Sequence, residues 1–466
     1  MTYVQASLQR CCCRLRISVL ALAATVLAGT LAQADPLSFR TRDWLEGAGS
    51  TAVAAAIRYA PGSERHVLDA FGRGQHVLYP ELSTLIALVP AENLLEAGPA
   101  ITRIEVLDRS MVSRIQLILE ATRRILALQG TMYSFGALNI SLGAPKALLG
   151  SERSGEHTVR DALGRVVQSG IPVVMSIGNN GPVEGSVNPW ALTPGVIMAA
   201  ATDSAGHTLW PSSSRLRPED AAGRNIFAAH GYLSVGAWAA GSSKTPAMLE
   251  AERQVDLTSL VGAGNEHLYR VDSGTSYAAA DITRTICMIH QAMMGLQLMA
   301  SGTEALTAIL PPFVRAYMDS GIDEAHPAFR KRLVNRTPIY GGQQFSLTPE
   351  RRARLSRLAF AGIVLDMRYQ SAPVLALLKR AARPVPDTNA QETGFGFVSL
   401  DLVASTIAAL RPADLVALFS DSADPRFADW TRIASEDSDP LFTGQEIEQL
   451  RTYCSGYDLV LMLKIP

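Results

Sequence analysis

The sequence has no excess of charge of one sign, no long apolar run beyond its first 34 residues, and few cysteines. Its 42 Lys and Arg residues balance 43 Asp and Glu residues, so the charge gives no sign of a nucleic-acid or anionic-membrane partner. Three of the five cysteines lie at positions 11–13, which leaves Cys287 and Cys454. Neither has metal-ligand spacing, nor do the histidines, so we expect no metal and no other cofactor. The two cysteines either form one disulfide or are buried as small apolar residues.

Residues 1–34 have the pattern of a secretory signal. Arginines near the start precede the apolar stretch ISVLALAATVLAGTLA, and the small residues AQA stand before Asp35. We therefore expect a mature chain that begins at Asp35, is secreted or periplasmic, and has no stable membrane anchor. The alternative is a retained anchor, for which the apolar stretch is short.

Between residues 101 and 200, short apolar runs alternate with amphipathic stretches, from ITRIEVLD to GVIMAAATD. This alternation is typical of βαβ units, in which buried parallel strands are continuous apolar runs. The sequence therefore predicts an α/β fold with a mostly parallel central sheet flanked by helices. In TVRDALGRVVQ the apolar residues have helical spacing and should pack on the sheet: Val159, Ala162, Leu163, Val166 and Val167.

The domain organisation predicted from composition is one domain over residues 35–410. Two insertions are expected in it, one at about 204–254, where no periodicity is sustained, and a helical one at about 300–370. Thr348 and Pro349 should cap and begin a helix there. Residues 411–466 are a C-terminal extension of unknown role, acidic at first and ending in an apolar run.

Three short motifs suggest chemistry. GTSYAAAD places Ser276 at the start of a helix, whose N-terminal amides favour negative charge. SIGNNGP places Asn179 after a buried strand, where its amide could donate to an oxyanion. NISLGAP offers an extended edge, Ser141, Leu142 and Gly143, that could pair with a peptide backbone. Taken singly, Ser276 could merely cap a helix and Asn179 could form a turn.

These motifs together resemble those of the subtilisin-like serine peptidases, the subtilases. GTSYAAA is similar to the nucleophile motif, SIGNNGP to the oxyanion-asparagine motif, and NISLGAP to the substrate-binding strand, and they occur in the family's order within residues 65–408. The resemblance implies a three-layer subtilisin-like fold with helical insertions. It also implies hydrolysis of extended peptide or protein substrates by Ser276, with Asn179 as oxyanion donor.

The same resemblance exposes a defect in the proton relay. The family's base lies in a Gly-His-Gly-Thr-His-Val segment, to which GRGQHV is similar, and there Arg73 stands at the base position. A guanidinium stays protonated and has no acceptor, so Arg73 cannot activate Ser276. His76 is an alternative base only if the local alignment shifts. No clear orienting acid is found, since neither Asp43 nor Asp69 has the expected strand-end context.

Two functions from different classes follow from the resemblance. The first is a secreted serine peptidase homologue with impaired catalysis. The alternative is a pseudopeptidase that binds extended peptides without cleaving them, with Arg73 pairing with a carboxylate, for example a peptide C-terminus. Esterase activity of the same serine is chemically close to the first, and only a substrate screen would separate the two.

Overall fold

The computed structural model describes residues 35–451 except 129–135, 145, 149–150, 152, 239–242, 302–348, 361–370, 419–425 and 449–450. The chain divides into two compact units, the first ending at Val112 and the second beginning at Ser113. The boundary between the two units falls inside the range 35–410, for which the sequence predicted one peptidase domain. That domain assignment stays a prediction. The predicted signal, residues 1–34, lies outside the described residues.

The first unit contains a four-stranded antiparallel sheet with the order β2-β3-β1-β4. Its elements in chain order are α1 (Phe39–Ala48), β1 (Ala52–Tyr59), α2 (Glu64–Phe71), β2 (His76–Tyr79), β3 (Thr84–Pro90), α3 (Ala91–Leu95) and β4 (Ile101–Leu107). From β1 to β4 this is the βαββαβ topology of ferredoxin-like folds. Its core is built from alternate residues of the central strands, such as Ala55, Ile57, Leu85 and Ala87, together with apolar residues of the helices.

This sheet differs from the sequence prediction. ITRIEVLD was predicted to be one of the parallel strands, but it forms β4, which pairs antiparallel with β1 and places Ile104 opposite Ile57. An apolar run of this length identifies a buried strand, whereas the direction of its partner depends on residues far away in the chain. The prediction of a parallel strand at 101–107 is therefore wrong.

The second unit is built on a four-stranded parallel sheet with the order β5-β6-β7-β8. A separate antiparallel pair joins β9 to β10. The elements around this sheet, in chain order, are α4 (Arg109–Leu128), β5 (Leu138–Ile140), α5 (Glu156–Gln168), β6 (Val173–Ser176), β7 (Ile197–Thr202), α6 (Pro218–Ala221), β8 (Asn225–His230), β9 (Ser234–Ala237), α7 (Pro246–Glu252), α8 (Leu257–Val261), β10 (Tyr269–Asp272) and α9 (Thr275–Ser301). The helices that follow include α10 (Pro349–Phe360), α11 (Ser371–Ala381), α12 (Leu400–Ala408), α13 (Pro412–Leu418) and α14 (Arg426–Ser435).

Helix α9 packs on this sheet through small side chains. Ala278 and Ala279 are fully buried in one cluster with Ala199 and Ala201 of β7, and alanine on both surfaces lets the helix approach the strands closely. Helix α5 contacts β6, and four of the five residues predicted to pack are buried, whereas Val167 is half-buried. The α/β fold with a parallel sheet flanked by helices is confirmed.

The segments predicted as insertions are partly regular structure. Residues 225–230, inside the predicted insertion 204–254, form the buried strand β8, which pairs with β7 along its whole length. NIFAAH is too short to show a periodicity. Because the residues around it are typical of turns, the strand could not be recognised in the sequence. In the predicted helical insertion, α10 begins at Pro349, while residues 302–348, including the predicted Thr348 cap, and 361–370 lie outside the described residues.

Three further features bear on the expectations. Cys287 is a buried free thiol on α9, and Cys454 lies outside the described residues. Across the described ranges, no helix combines the length and the apolar character needed to cross a bilayer. Within those same ranges, no group of three or more His, Cys, Asp and Glu side chains is arranged to hold a metal ion.

Candidate active site

The three sequence motifs meet where the parallel strands end. Ser141 directly follows β5, Asn179 follows β6 by three residues, and Ser276 is the second residue of α9, which packs on the same sheet. The carboxyl ends of parallel strands lie at one edge, where α/β proteins bind ligands. The fold therefore gathers side chains from positions 141, 179 and 276 into one region.

Ser276 lies in the first turn of α9 and is half-buried. The turn before it is held by the Gly274 amide, which donates to the Gly231 carbonyl just after β8 at 2.7 Å. The first amides of a helix have no intrahelical acceptor and carry a partial positive charge. Within the described residues, the Ser276 hydroxyl makes no hydrogen bond. It is a nucleophile candidate beside an anion-favouring helix end, without an attached base.

Asn179 is held in one orientation by Thr275. The Asn179 Oδ1 atom accepts from the Thr275 amide at 3.0 Å and from the Thr275 hydroxyl at 2.7 Å. Because both groups donate, the accepting atom is the amide oxygen, and the Nδ2 group is left as the exposed donor. The Thr275 hydroxyl in turn accepts from the Gly178 amide at 3.2 Å. This arrangement presents an amide donor beside the start of α9, as an oxyanion site requires.

Gly178 makes the Asn179 position possible. Its φ is +120°, and a Cβ at this position would lie 2.7 Å from the Ser214 hydroxyl oxygen. Any other residue would strain the backbone and displace Ser214, whose hydroxyl also accepts from the Asn180 amide at 3.0 Å. Gly178, the last residue of the Ser-Ile-Gly sequence, thus sets the direction in which the chain continues to Asn179.

The extended segment 141–143 is tied to the same region. The Ser141 hydroxyl donates to the Ser276 carbonyl at 3.2 Å, so the predicted binding segment contacts the nucleophile residue directly. The Leu142 carbonyl accepts from Asn188 Nδ2 at 3.0 Å. A Cβ at Gly143 would lie 3.0 Å from the Asn188 side chain, which explains why this position has no side chain.

A polar cluster beside Ser276 was not recognised in the sequence. The Tyr277 hydroxyl accepts from Arg270 at 2.8 Å and donates to the Asp272 carboxylate at 3.1 Å, while the Arg270 guanidinium lies 4.7 Å from the centre of the Trp238 ring. Burial and the Asp272 charge raise the pKa of Tyr277 to about 12, although Arg270 opposes the shift. Tyr277 therefore stays protonated at neutral pH and cannot act as the missing base.

The residues proposed for the proton relay lie in the first unit. Arg73 is exposed in the connection between α2 and β2, and His76 is the exposed first residue of β2, its Nδ1 3.0 Å from the Gly74 carbonyl. Asp43 and Asp69 are exposed on α1 and α2. The segment around Arg73 is a turn followed by a strand. The roles assigned to Arg73 and His76 stay predictions.

The described histidines of the second unit also leave the Ser276 hydroxyl unpaired. His157, His207 and His267 are exposed, His230 ends β8, and His290 is buried on α9. Among the described residues, none of these imidazoles hydrogen-bonds to the Ser276 hydroxyl. The described part of the site thus contains a candidate nucleophile and a candidate oxyanion donor, without a paired base among the described residues.

A serine at a helix start and an amide donor at the end of a parallel strand are the groups expected of a serine-hydrolase site in an α/β protein. Residues 133–304 match the model of the subtilase family, so this part of the chain is similar to the subtilisin-like serine peptidases. The match includes the segments of Ser141, Asn179 and Ser276 and begins after Arg73 and His76.

Comparison with other proteins adds little beyond the family. No curated protein matches the chain. Among solved structures, fervidolysin from Fervidobacterium pennivorans, a keratinolytic enzyme related to subtilisin, is 12% identical, with 76% of this chain and 61% of that chain covered and a TM-score of 0.38. A lanthipeptide protease is 13% identical, with 64% and 67% covered and a TM-score of 0.32.

The patellamide maturation protease PatG is 13% identical, with 63% of this chain and 57% of that chain covered and a TM-score of 0.30. The chain therefore spans less than two thirds of the length of both PatG and fervidolysin. Similarities this weak carry no argument about activity.

Proposed function

We propose that this protein is an exported subtilisin-like serine peptidase homologue with impaired catalysis. Extended peptides or protein segments bind along Ser141, Leu142 and Gly143. Ser276 attacks the peptide carbonyl, and Asn179 Nδ2 stabilises the oxyanion. The signal-like residues 1–34 support a secreted or periplasmic location, which N-terminal sequencing of the exported protein would test by the presence of Asp35 at its start.

One observation carries this proposal. Asn179 is locked by two hydrogen bonds in the orientation that leaves its Nδ2 group exposed, whereas the hydroxyl of Ser276 has no hydrogen-bond partner in the described part of the chain. A serine hydroxyl is a weak nucleophile without a neighbouring base. These two features support an oxyanion donor at Asn179 and a Ser276 hydroxyl that lacks a paired base among the described residues.

The expected loss of activity is large. In subtilisin, removal of the base reduces turnover about 10⁶-fold, and an acceleration of about 10³- to 10⁴-fold over water remains from oxyanion stabilisation and binding. We expect residual acylation of that order for this protein. Tyr277 does not compensate, because its raised pKa keeps its proton in place.

The second candidate is a pseudopeptidase that only binds peptides. It is favoured by the contact between Ser141 and the Ser276 carbonyl, which preserves the binding segment independently of any base. Arg73, if it occupies the base position, would then pair with a carboxylate of the ligand.

An active-site fluorophosphonate probe separates the two candidates. We expect slow labelling of the wild-type chain, none of Ser276→Ala, and binding of an extended peptide by both. Labelling at the rate of an ordinary subtilase would refute impaired catalysis, and its complete absence with retained peptide binding would favour the pseudopeptidase.

Two variants test the proposed relay positions. If residue 73 stands at the base position, Arg73→His should accelerate labelling. If His76 is the base, His76→Ala should abolish the residual labelling. An unchanged rate in both variants would remove both residues from the site.

A further inference from the structure

Arg114, on α4, lies beside the proposed peptide-binding segment. Its side chain is exposed, and its Nη1 group donates to the Gly143 carbonyl at 3.2 Å. Both residues belong to the second unit. The contact joins positions 29 residues apart in the chain, and nothing in the local sequence of either indicates it.

The charge of Arg114 is uncompensated in the described part of the chain. Two other arginines of α4, Arg123 and Arg124, both pair with Glu120, at 2.6 Å and 2.5 Å. Arg114 has no carboxylate partner among the described residues, and its one hydrogen bond goes to a neutral carbonyl. An arginine held by a neutral acceptor can gain a stronger, charge-assisted and bidentate interaction when a carboxylate arrives.

The position of this charge relative to the site is well defined. The Leu142 carbonyl, just before Gly143, accepts from Asn188 Nδ2 at 3.0 Å, and the Ser141 hydroxyl donates to the Ser276 carbonyl. A peptide that pairs with 141–143 must pass the Arg114 side chain. The Gly143 carbonyl has two lone pairs, so it can accept from a peptide amide while Arg114 stays close.

We propose that Arg114 is a specificity-determining residue that selects extended peptides with an acidic side chain opposite Gly143. This inference rests on the proposed function, because it assumes that peptides bind along 141–143. Arg114 is exposed, so the pair with the ligand is a surface ion pair of modest strength. We expect an acidic residue to tighten binding by about two- to fivefold over its neutral amide.

The experiment measures peptide affinity by fluorescence anisotropy on the full chain carrying Ser276→Ala, which prevents cleavage. The ligands are a neutral fluorescein-labelled peptide and its derivatives, in which Glu, Gln or Lys is placed at each position in turn. The protein variants are Arg114→Gln, which keeps a donor for Gly143 without the charge, and Arg114→Glu. Arg253→Gln is the matched control, since Arg253, directly after α7, is 76% exposed and pairs with Glu250.

We expect one peptide position at which Glu binds more tightly than Gln, a preference that weakens with added salt. Arg114→Gln should remove the preference, Arg114→Glu should transfer it to Lys, and Arg253→Gln should leave it unchanged. If peptides bind but Glu and Gln are equal at every position, or if the preference survives Arg114→Gln, this inference is overturned and the proposed function stands. If no peptide binds, the proposed function fails and this inference fails with it.

Discussion

Thr275→Val is the sharpest test of the way in which Asn179 is held. Thr275 is fully buried, and valine has nearly the same shape but no hydroxyl. The substitution removes the 2.7 Å hydrogen bond to Asn179 and the acceptor of the Gly178 amide. The Thr275 backbone amide, which donates to Asn179 Oδ1 at 3.0 Å, is unchanged. The amide of Asn179 should therefore lose one of its two restraints.

The cost can be worked from these contacts. A lost side-chain hydrogen bond costs about 1 kcal/mol, and the Gly178 amide, which is half-buried, adds about 1 kcal/mol because water partly replaces its acceptor. We expect Thr275→Val to lower the free energy of unfolding by about 2 kcal/mol. The control is Thr275→Ser, which keeps the hydroxyl and loses one methyl group, at about 1 kcal/mol.

Urea denaturation gives the free energy, and fluorophosphonate labelling gives the effect on the site. Removing an oxyanion donor outright costs about 10²- to 10³-fold in rate, so Asn179→Ala sets the limit and Thr275→Val should fall between it and the wild type. In a double-mutant cycle, the labelling loss caused by Thr275→Val should largely vanish once Asn179 is alanine. Equal stability and equal labelling of the Val and Ser variants would refute the reasoning.

Two further predictions concern stability and thiol reactivity. Arg354→Ala should lower the free energy of unfolding, measured by urea denaturation, by about 2 to 3 kcal/mol, because the buried carboxylate of Asp437 loses its hydrogen bonds from Arg354 at 2.6 and 2.9 Å. The control Arg357→Ala, at an exposed position, should cost little. Equal losses in the two variants would contradict this prediction. Burial alone would raise the pKa of Asp437, but the hydrogen bonds from Arg354 and the Asp439 amide and the nearby arginine charges outweigh it and lower the pKa. Stability from this group is therefore complete above the unfolded pKa of 3.8 and falls as the pH drops through the lower folded value. This loss should be smaller in Arg354→Ala, which retains only the Asp439 amide and the Arg357 charge beside Asp437. Burial raises the pKa of Cys287 to about 12, so this thiol should resist iodoacetamide in the native Cys454→Ser chain at mildly alkaline pH and react in denaturant; alkylation at equal rates in both states would show that it is accessible.

The reactive candidates could be predicted from the sequence because each is encoded in a short contiguous segment. Ser276 is followed, after Tyr277, by the alanines through which its helix packs on the sheet, and Gly178 sets the direction of the chain at Asn179. A buried strand, a helix start and a glycine with positive φ are local properties, set by the residues themselves and their immediate neighbours. The buried strands β5, β6 and β7 were predictable for the same reason.

What depends on distant residues was decided only by the tertiary structure. The direction of β4 depends on its pairing with β1, and the orientation of Asn179 depends on Thr275, which is 96 residues away in the chain. The contact of Arg114 with Gly143 and that of Arg270 with the Trp238 ring likewise join segments with no local signal for each other. The chain by itself therefore determined which groups are chemically suited to a peptidase site. Folding decided which of them meet, because hydrogen bonds and packing act between neighbours in space, whatever their separation in sequence.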